Sequence, residues 1–171
     1  TLYLSCSNEE APESYIIDKT PVSSGIIATS EAGWELGKIG FPEIGEKRKD
    51  RNIYIVSQYP CPAYGPFSIR FFAKKPGEVI VEIYQAVSQS YSDPNLRIYE
   101  HSILSSAPIL LEKKTMVFEQ SGVFTINLNP NRLEKGKGFI RSFVKFNNEL
   151  VWVDSYVTSS FTDPIYNLIN K

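Results

Sequence analysis

The chain is poor in the residues that most often hold metals or cross-link small domains. Its 171 residues include two cysteines, Cys6 and Cys61, and one histidine, His101. A zinc site needs three or four Cys, His, Asp or Glu ligands at close spacing, which these residues do not supply. A chain of this length buries enough apolar surface to fold without a disulfide framework. We therefore expect one domain and no metal or other cofactor.

The sequence also lacks an excess of charge and a long apolar run. Its 18 Lys and Arg are balanced by 19 Asp and Glu, giving a formal net charge of −1. Such a chain has no basic field to hold nucleic acid by counterion release, so we expect no nucleic-acid partner. The basic cluster at 47–51 is interrupted by Asp50, which is typical of a solvated loop. No window reaches the roughly 18 consecutive apolar residues of a membrane-spanning helix.

Candidate catalytic groups are few. His101 lies beside Glu100, with no Ser, Cys or metal-ligand partner at useful spacing. Such a pair is more often a surface ion pair than part of a catalytic site. Gly136-Lys137-Gly138 lacks the remainder of a phosphate-binding loop, which favours a turn. We therefore predict that the protein is not an enzyme.

What the sequence does contain is ten Tyr, ten Phe and a β pattern after residue 52. Apolar and aromatic residues in short runs between turn residues predict strands. The predicted strands are 53–57, 67–72, 78–86, 115–119, 123–128, 139–146 and 149–157. Seven strands suffice for a mainly β, two-sheet antiparallel sandwich, immunoglobulin-like or transthyretin-like. Before residue 52, the many Gly, Pro, Ser and Glu residues indicate edge strands and loops.

Two short segments predict hairpins. Gln120-Ser121-Gly122 is typical of a three-residue loop with Gly122 in the left-handed conformation, which sets Phe118 opposite Phe124. Asn147-Asn148 is typical of a two-residue turn, since Asn tolerates positive φ. Its register sets Arg141 opposite Asp154 and makes Phe143 and Trp152 neighbours in or near the core.

One short helical insertion is expected between the strands. Asp93 can cap it, Pro94 fits its first turn, and apolar residues recur at helical spacing until Pro108 ends the pattern. Asp163-Pro164 can open a second short helix that runs to Ile169.

Trp34 has two interpretations. Glycines at 37, 40 and 45 follow it, so regular structure is not expected there. Trp34 either covers the core as a plug or stands exposed as a contact, and we prefer the first.

The start of the chain has the pattern of an exported lipoprotein. Leu2-Tyr3-Leu4-Ser5 resembles the end of a secretory apolar segment, and with Cys6 it resembles a bacterial lipobox. In that pattern the cysteine receives acyl chains such as palmitate and becomes the mature N-terminus. The chain would then divide into a signal-peptide remnant at 1–5, a lipidated N-terminus and tether at 6–14, and one sandwich domain at 15–171. Ser7 resembles the residue that permits sorting to the outer membrane.

The two cysteines leave an alternative open. In an oxidising compartment Cys6 and Cys61 can form a disulfide. If Cys6 carries a lipid, Cys61 remains a lone thiol, which we expect to be buried and unreactive.

The order of elements between 67 and 153 carries a family resemblance. Its pieces are Ile83-Tyr84-Gln85, Leu111 to Phe118, Ser121-Gly122, Leu128-Asn129-Pro130 and Trp152. This order is similar to that of the type VI secretion outer-membrane lipoproteins, the SciN-like family, although Glu82 stands where the family has a basic residue. The resemblance implies a protein that anchors a trans-envelope secretion complex by docking an inner-membrane partner through its loops, without catalysis.

These features predict a non-enzymatic adaptor that binds another envelope protein. A lipid would hold it at the outer membrane, facing the periplasm. The alternative is a surface-exposed, adhesin-like or inhibitor-like binding module. In both cases we expect the contacts in the polar loop after the strand at 78–86, because Tyr, Ser and Asn are typical of contact surfaces. The candidate partner-binding residues are Ser90, Tyr91, Asp93 and Asn95, with Tyr91 as the main contact.

Overall fold

The protein is built mainly of β-strands in the residues that its computed structural model describes, which are 24–41, 50–90, 99–102, 108–130, 133 and 136–168. The strands are β1 Ser24–Thr29, β2 Glu35–Phe41, β3 Ile53–Tyr59, β4 Ala63–Tyr64, β5 Phe67–Ala73, β6 Gly77–Gln85, β7 Val87–Ser90, β8 Tyr99–Ser102, β9 Leu110–Phe118, β10 Gly122–Leu128, β11 Lys137–Phe146 and β12 Glu149–Thr158. A 3-10 helix, Tyr166–Leu168, follows β12. For β7 and β8 only the backbone is described.

Two of the sheets face each other across one core. A three-stranded sheet has the order β10-β5-β3, and a five-stranded sheet has the order β4-β12-β11-β6-β9. All the pairings in these two sheets are antiparallel except that of β4 with β12, which is parallel. Two further pairs, β1-β2 and β7-β8, complete the described strands. The predicted mainly β sandwich is confirmed.

The alternation of side chains explains where the core lies. In β5 every second residue is buried, including Ile69 and Phe71, while the residues between them are only half-buried. From the five-stranded sheet, Val81 and Ile83 of β6 meet them in the same core. Burying each such side chain fully stabilises the fold by about 1.5 to 3 kcal/mol.

The predicted hairpin at 120–122 is wrong. β9 pairs with β6 and β10 pairs with β5, so the chain crosses from one sheet to the other between them. Phe118 and Phe124 do meet, but their rings stack across the core with centroids 4.4 Å apart. Gly122 is the first residue of β10 rather than a turn residue. A hairpin and a crossing between facing sheets bury the same alternating residues, so the alternation alone does not distinguish them.

Side chains of β9 still reach the edge of β10. The Lys114 Nζ donates to the Asn127 carbonyl at 2.6 Å, and the Glu112 carboxylate accepts from the Asn129 amide at 2.6 Å. These contacts replace ladder hydrogen bonds and protect part of an edge strand from pairing with another chain.

The predicted hairpin at Asn147-Asn148 is confirmed. β11 and β12 pair from Phe146 opposite Glu149 outward, which sets Arg141 opposite Asp154 and Phe143 opposite Trp152. Asn147 has a φ of 53°, the left-handed conformation that the turn uses. Phe143 is fully buried and the half-buried Trp152 packs against it, as predicted.

The predicted helical insertion is wrong where the chain is described. β8, Tyr99–Ser102, pairs antiparallel with β7, Val87–Ser90, so a strand pair occupies part of both the predicted loop and the predicted helix. The rest of that helix, including Asp93, lies outside the described residues. A few apolar residues at helical spacing are a weak signal, and pairing with a neighbouring strand outweighed it.

The two remaining local predictions have different outcomes. Near the end of the chain, the Asp163 carboxylate accepts hydrogen bonds from the amides of Ile165 and Tyr166, and the short 3-10 helix follows, so part of the predicted terminal helix is present. The prediction that the glycines after Trp34 exclude regular structure is wrong. β2 pairs with β1, and Gly40 takes a φ of 68° within the strand, a conformation that glycine adopts readily.

Candidate interaction surface

Most of the site predicted from the sequence lies outside the described residues. Four predicted site residues lie outside the described residues: Cys6, Tyr91, Asp93 and Asn95. Ser90 is the last residue of β7, where its backbone is paired with that of Tyr99. Ser90 was expected in a loop, so that part of the prediction is wrong.

The outer face of the three-stranded sheet carries an apolar row. Val123 of β10, Phe72 of β5 and Tyr54 of β3 lie directly opposite one another. The rings of Tyr54 and Phe72 stack with centroids 5.3 Å apart, and Val123 is 58% exposed. These side chains alternate with the core residues of the same strands, so they point away from the core.

One cation lies on the same face. Arg70 of β5 donates from Nη2 to the Tyr59 hydroxyl at 3.1 Å, and its guanidinium carbon lies 4.9 Å from the centroid of the Tyr59 ring. Both contacts hold the arginine side chain in one conformation before any partner arrives. A preorganised side chain loses less entropy on binding.

The turn between β1 and β2 rests against this face through its backbone. A Cβ at Gly33 would lie 3.1 Å from Cδ1 of Tyr59 and 3.2 Å from Oγ of Ser57, so only glycine permits this approach. Ser30 closes the turn, since its amide donates to the Trp34 carbonyl at 2.9 Å and its hydroxyl accepts from the Trp34 amide at 3.1 Å.

Trp34 itself is exposed. The residue is 75% exposed, although the neighbouring Gly33 lies against Tyr59. The interpretation of Trp34 as a plug is therefore wrong. Trp34 is exposed, as the alternative interpretation expected. We name the surface formed by Trp34, Tyr54, Tyr59, Arg70, Phe72 and Val123 the Trp34 face.

The residue types of the Trp34 face suit binding. Trp, Tyr and Arg are the residues that most often dominate the energy of a protein interface. Large exposed apolar side chains next to one another mark contact sites more often than single ones do. The six residues include no carboxylate, thiol or imidazole, so this face offers contacts rather than catalytic groups.

The outer face of the five-stranded sheet is different, because its charges are already paired. Glu82 accepts from Lys145 at 2.7 Å, from Lys113 at 3.1 Å and from the Tyr84 hydroxyl at 3.2 Å. Burial alone would raise the pKa of Glu82, but the hydrogen bonds and charges of the two lysines lower it below its usual value. Burial and the neighbouring Glu82 raise the pKa of Tyr84.

Acid is expected to weaken the fold through Glu82. Because the pKa of Glu82 is lower in the folded chain than its ordinary value of 4.5, the stability it contributes is present above that pH and is lost as the pH falls through the folded value. Urea unfolding from about pH 7 to about pH 3 should show a shallower loss of stability for Glu82→Gln than for the wild type. Identical slopes for the two proteins would refute this role.

A second charged pair lies deeper on that sheet. Arg141 donates from Nε and Nη2 to the two oxygens of Asp154 at 2.6 and 2.8 Å, and both side chains are buried. The guanidinium carbon of Arg141 also lies 4.0 Å from the centroid of the Trp152 ring. The sequence predicted the pairing of these residues but not its burial.

Cys61 is a free thiol in the core, as expected for the case in which Cys6 is not its partner. Burial raises its pKa to about 11, against the lowering effect of a hydrogen bond from Ser155. The thiolate is the reactive form, so this thiol is unreactive at neutral pH.

Two further observations concern the described part of the chain. None of its helices is both long and apolar enough to cross a membrane. Within the same residues, no three or more His, Cys, Asp and Glu side chains come together where they could hold a metal ion.

No protein-family model matches the chain, and no curated protein matches it.

Proposed function

We propose that this chain is a non-enzymatic adaptor whose Trp34 face binds another protein of the bacterial cell envelope. The observation that carries the proposal is the exposed Trp34, in a turn whose Gly33 lies against Tyr59, the residue that holds Arg70 on a sheet face with stacked aromatic side chains. Exposed Trp and Arg beside an open sheet face suit a protein surface better than a small ligand, since a small ligand is usually enclosed in a concave pocket.

The chemistry of the face indicates what the partner offers. Aromatic and aliphatic groups on the partner would cover Phe72 and Val123, and a carboxylate would meet the guanidinium of Arg70. Arg70 retains donors beyond the one directed at Tyr59, because a guanidinium carries five N–H groups. An Arg–carboxylate contact surrounded by apolar contacts gives both affinity and orientation.

The location belongs to the same proposal and rests on the sequence. A lipid on Cys6 anchors the chain to the outer membrane, where the sandwich faces the periplasm. The similarity to type VI secretion lipoproteins favours an envelope-spanning secretion complex as the setting. A lipid anchor and a sheet face that binds a partner are together what an adaptor needs.

Changing the anchor should change the location and not the fold. In bacterial cells that make the precursor, Cys6→Ser should move the protein from the membrane to the soluble periplasmic fraction. Cys61→Ser is the matched control and should leave the protein in the membrane. An intact mass without acyl chains, or a Cys6–Cys61 bridge in a peptide map, would contradict the lipid anchor.

Trp34→Ala should weaken partner binding by at least about 30-fold, since truncating a central Trp typically costs about 2 kcal/mol or more. The partner is purified after capture from envelope extracts, and its dissociation constant is measured by calorimetry. Arg70→Met should also weaken binding.

The matched control is Val117→Ala. Val117 is a 71% exposed residue of β9 in the other sheet, and its replacement should change the dissociation constant by less than about twofold. Urea unfolding should show Trp34→Ala within about 0.5 kcal/mol of the wild type, because the side chain is exposed. A partner that binds equally well to the Trp34 and Arg70 variants, or no captured partner, would refute the proposal.

A further inference from the structure

Three aromatic side chains form a second exposed cluster, which shares no residue with the Trp34 face. The rings of Tyr64 on β4 and Phe161 after β12 stack nearly parallel, with centroids 3.7 Å apart and an interplanar angle of 14°. Tyr166 is edge-on to both, at 6.3 Å from Tyr64 and 5.9 Å from Phe161. Phe161 is 60% exposed and Tyr64 is 40% exposed. We name these three residues the aromatic platform.

Asp163 fixes the backbone that carries part of the platform. This carboxylate is buried, and one of its oxygens accepts from Lys137 at 2.9 Å and from the Tyr156 hydroxyl at 3.0 Å. Its other oxygen accepts from the amides of Ile165 and Tyr166 at 2.9 and 3.3 Å. Phe161 and Tyr166 are thus carried on a segment that Asp163 fixes, beside Tyr64 of β4, and a preorganised binding site requires such fixed side chains.

The loop that carries Phe161 and Tyr166 is polar, and its one charge is paired with the half-exposed Lys137. The hydroxyl oxygens of Ser160 and Thr162 lie 2.9 Å apart on the exposed side of the loop. The side-chain amide of Asn167 donates from Nδ2 to the Phe161 carbonyl at 2.9 Å. From 159 to 168 the only charged residue is Asp163, and it is buried and paired with Lys137. The exposed part of the loop therefore presents aromatic rings, hydroxyls and an amide without net charge.

The size of the platform decides between a protein and a smaller ligand. An aromatic side chain offers about 150 to 250 Å² in total, so the exposed parts of Tyr64 and Phe161 amount to about 200 Å². A standard protein interface covers about 800 Å² on each partner. The platform suits a ligand about the size of one or two sugar rings.

We propose that the aromatic platform binds a neutral carbohydrate. One face of a pyranose ring presents C–H groups that pack on an open aromatic ring, here the outer face of Phe161. The sugar hydroxyls both donate and accept, as the hydroxyls of Ser160 and Thr162 and the amide of Asn167 do. The absence of net charge on this loop matches a neutral ligand and disfavours an anion or a cation. This site goes beyond the adaptor role and does not depend on it.

The test is calorimetric titration of the full chain with neutral hexasaccharides, namely cellohexaose, maltohexaose, mannohexaose and the hexamer of N-acetylglucosamine. At least one should bind with a dissociation constant between about 10 μM and about 1 mM. Phe161→Ala should weaken that binding at least tenfold. Phe161→Tyr keeps a ring at this position and should retain binding within about threefold.

Trp34→Ala is the matched control, because it removes an exposed aromatic elsewhere on the chain and should leave sugar binding unchanged. Thermal unfolding of Phe161→Ala should match that of the wild type, so that loss of binding reports on the ring. Absence of binding by all four sugars at about 10 mM, or binding that survives Phe161→Ala, would overturn the proposal. Protection of Phe161 by a protein partner rather than by a sugar would also overturn it. None of these outcomes bears on the effect of Trp34→Ala on the protein partner.

Discussion

Asp154→Ala is expected to lower the free energy of unfolding by about 3 to 5 kcal/mol, because it leaves the guanidinium of Arg141 buried without its carboxylate. Both side chains are almost completely buried, at 0% and 2% exposure, and they share two hydrogen bonds. Water cannot replace the lost carboxylate at such a site, so part of the cost of desolvating the charge is no longer offset. Urea unfolding at neutral pH measures this difference.

The matching double variant separates pairing from packing. Arg141→Met with Asp154→Leu removes both charges and keeps apolar volume beside Trp152, so it should be less destabilised than Asp154→Ala alone. The effects of the two substitutions are coupled, because burying either charge destabilises the fold most when its partner charge is missing. If the double variant loses as much stability as the two single variants together, the ion pair is not a buried, mutually dependent unit.

Phe71→Ala is expected to cost about 3 to 5 kcal/mol, the range for removing a large aromatic side chain from a packed core. Phe71 is fully buried in β5, and its ring centroid lies 6.3 Å from that of Phe118 and 5.9 Å from that of Phe124. Phe118 belongs to the five-stranded sheet, so Phe71 makes a contact across the sandwich. Its removal would leave a cavity between the sheets.

The neighbouring residue in the same strand is the control. Phe72 points to the outer face, where it stacks on Tyr54, so Phe72→Ala should cost no more than about 1.5 kcal/mol. Urea unfolding of both variants compares the two faces of one strand. Equal losses, or a larger loss for Phe72→Ala, would contradict the assignment of Phe71 to the core side of β5.

The parts of the fold that local pattern determines were predictable. Two Asn residues in a row and apolar residues on both sides predict the β11–β12 turn and its whole register, because a two-residue turn fixes every pair beyond it. Applied to Gln120-Ser121-Gly122, the same reasoning from a short turn wrongly placed Phe118 and Phe124 in one hairpin. Their meeting was predictable, but whether they meet within one sheet or between two depends on the distant strands β5 and β6, with which their own strands pair.

The candidate site depends even more on distant contacts. Gly33 approaches the Tyr59 ring, and this contact between two separate parts of the chain places the turn that carries the exposed Trp34 against β3. The composition of the loop after β6 suggested contact residues there, whereas the Trp34 face combines side chains from three strands and a turn. The available signal was the alternation in β5, which already sets Arg70 and Phe72 on the side opposite Ile69 and Phe71.

Hydroxyl-radical footprinting of the chain, with and without its captured protein partner, tests whether the Trp34 face binds that partner. Bound partner is expected to protect Trp34, Tyr54 and Phe72 from oxidation, while Val117 and Phe161 are oxidised at the rates of the free chain. Protection of Val117 or Phe161 with unchanged oxidation of Trp34 would contradict the assignment of the Trp34 face as the surface that binds the partner.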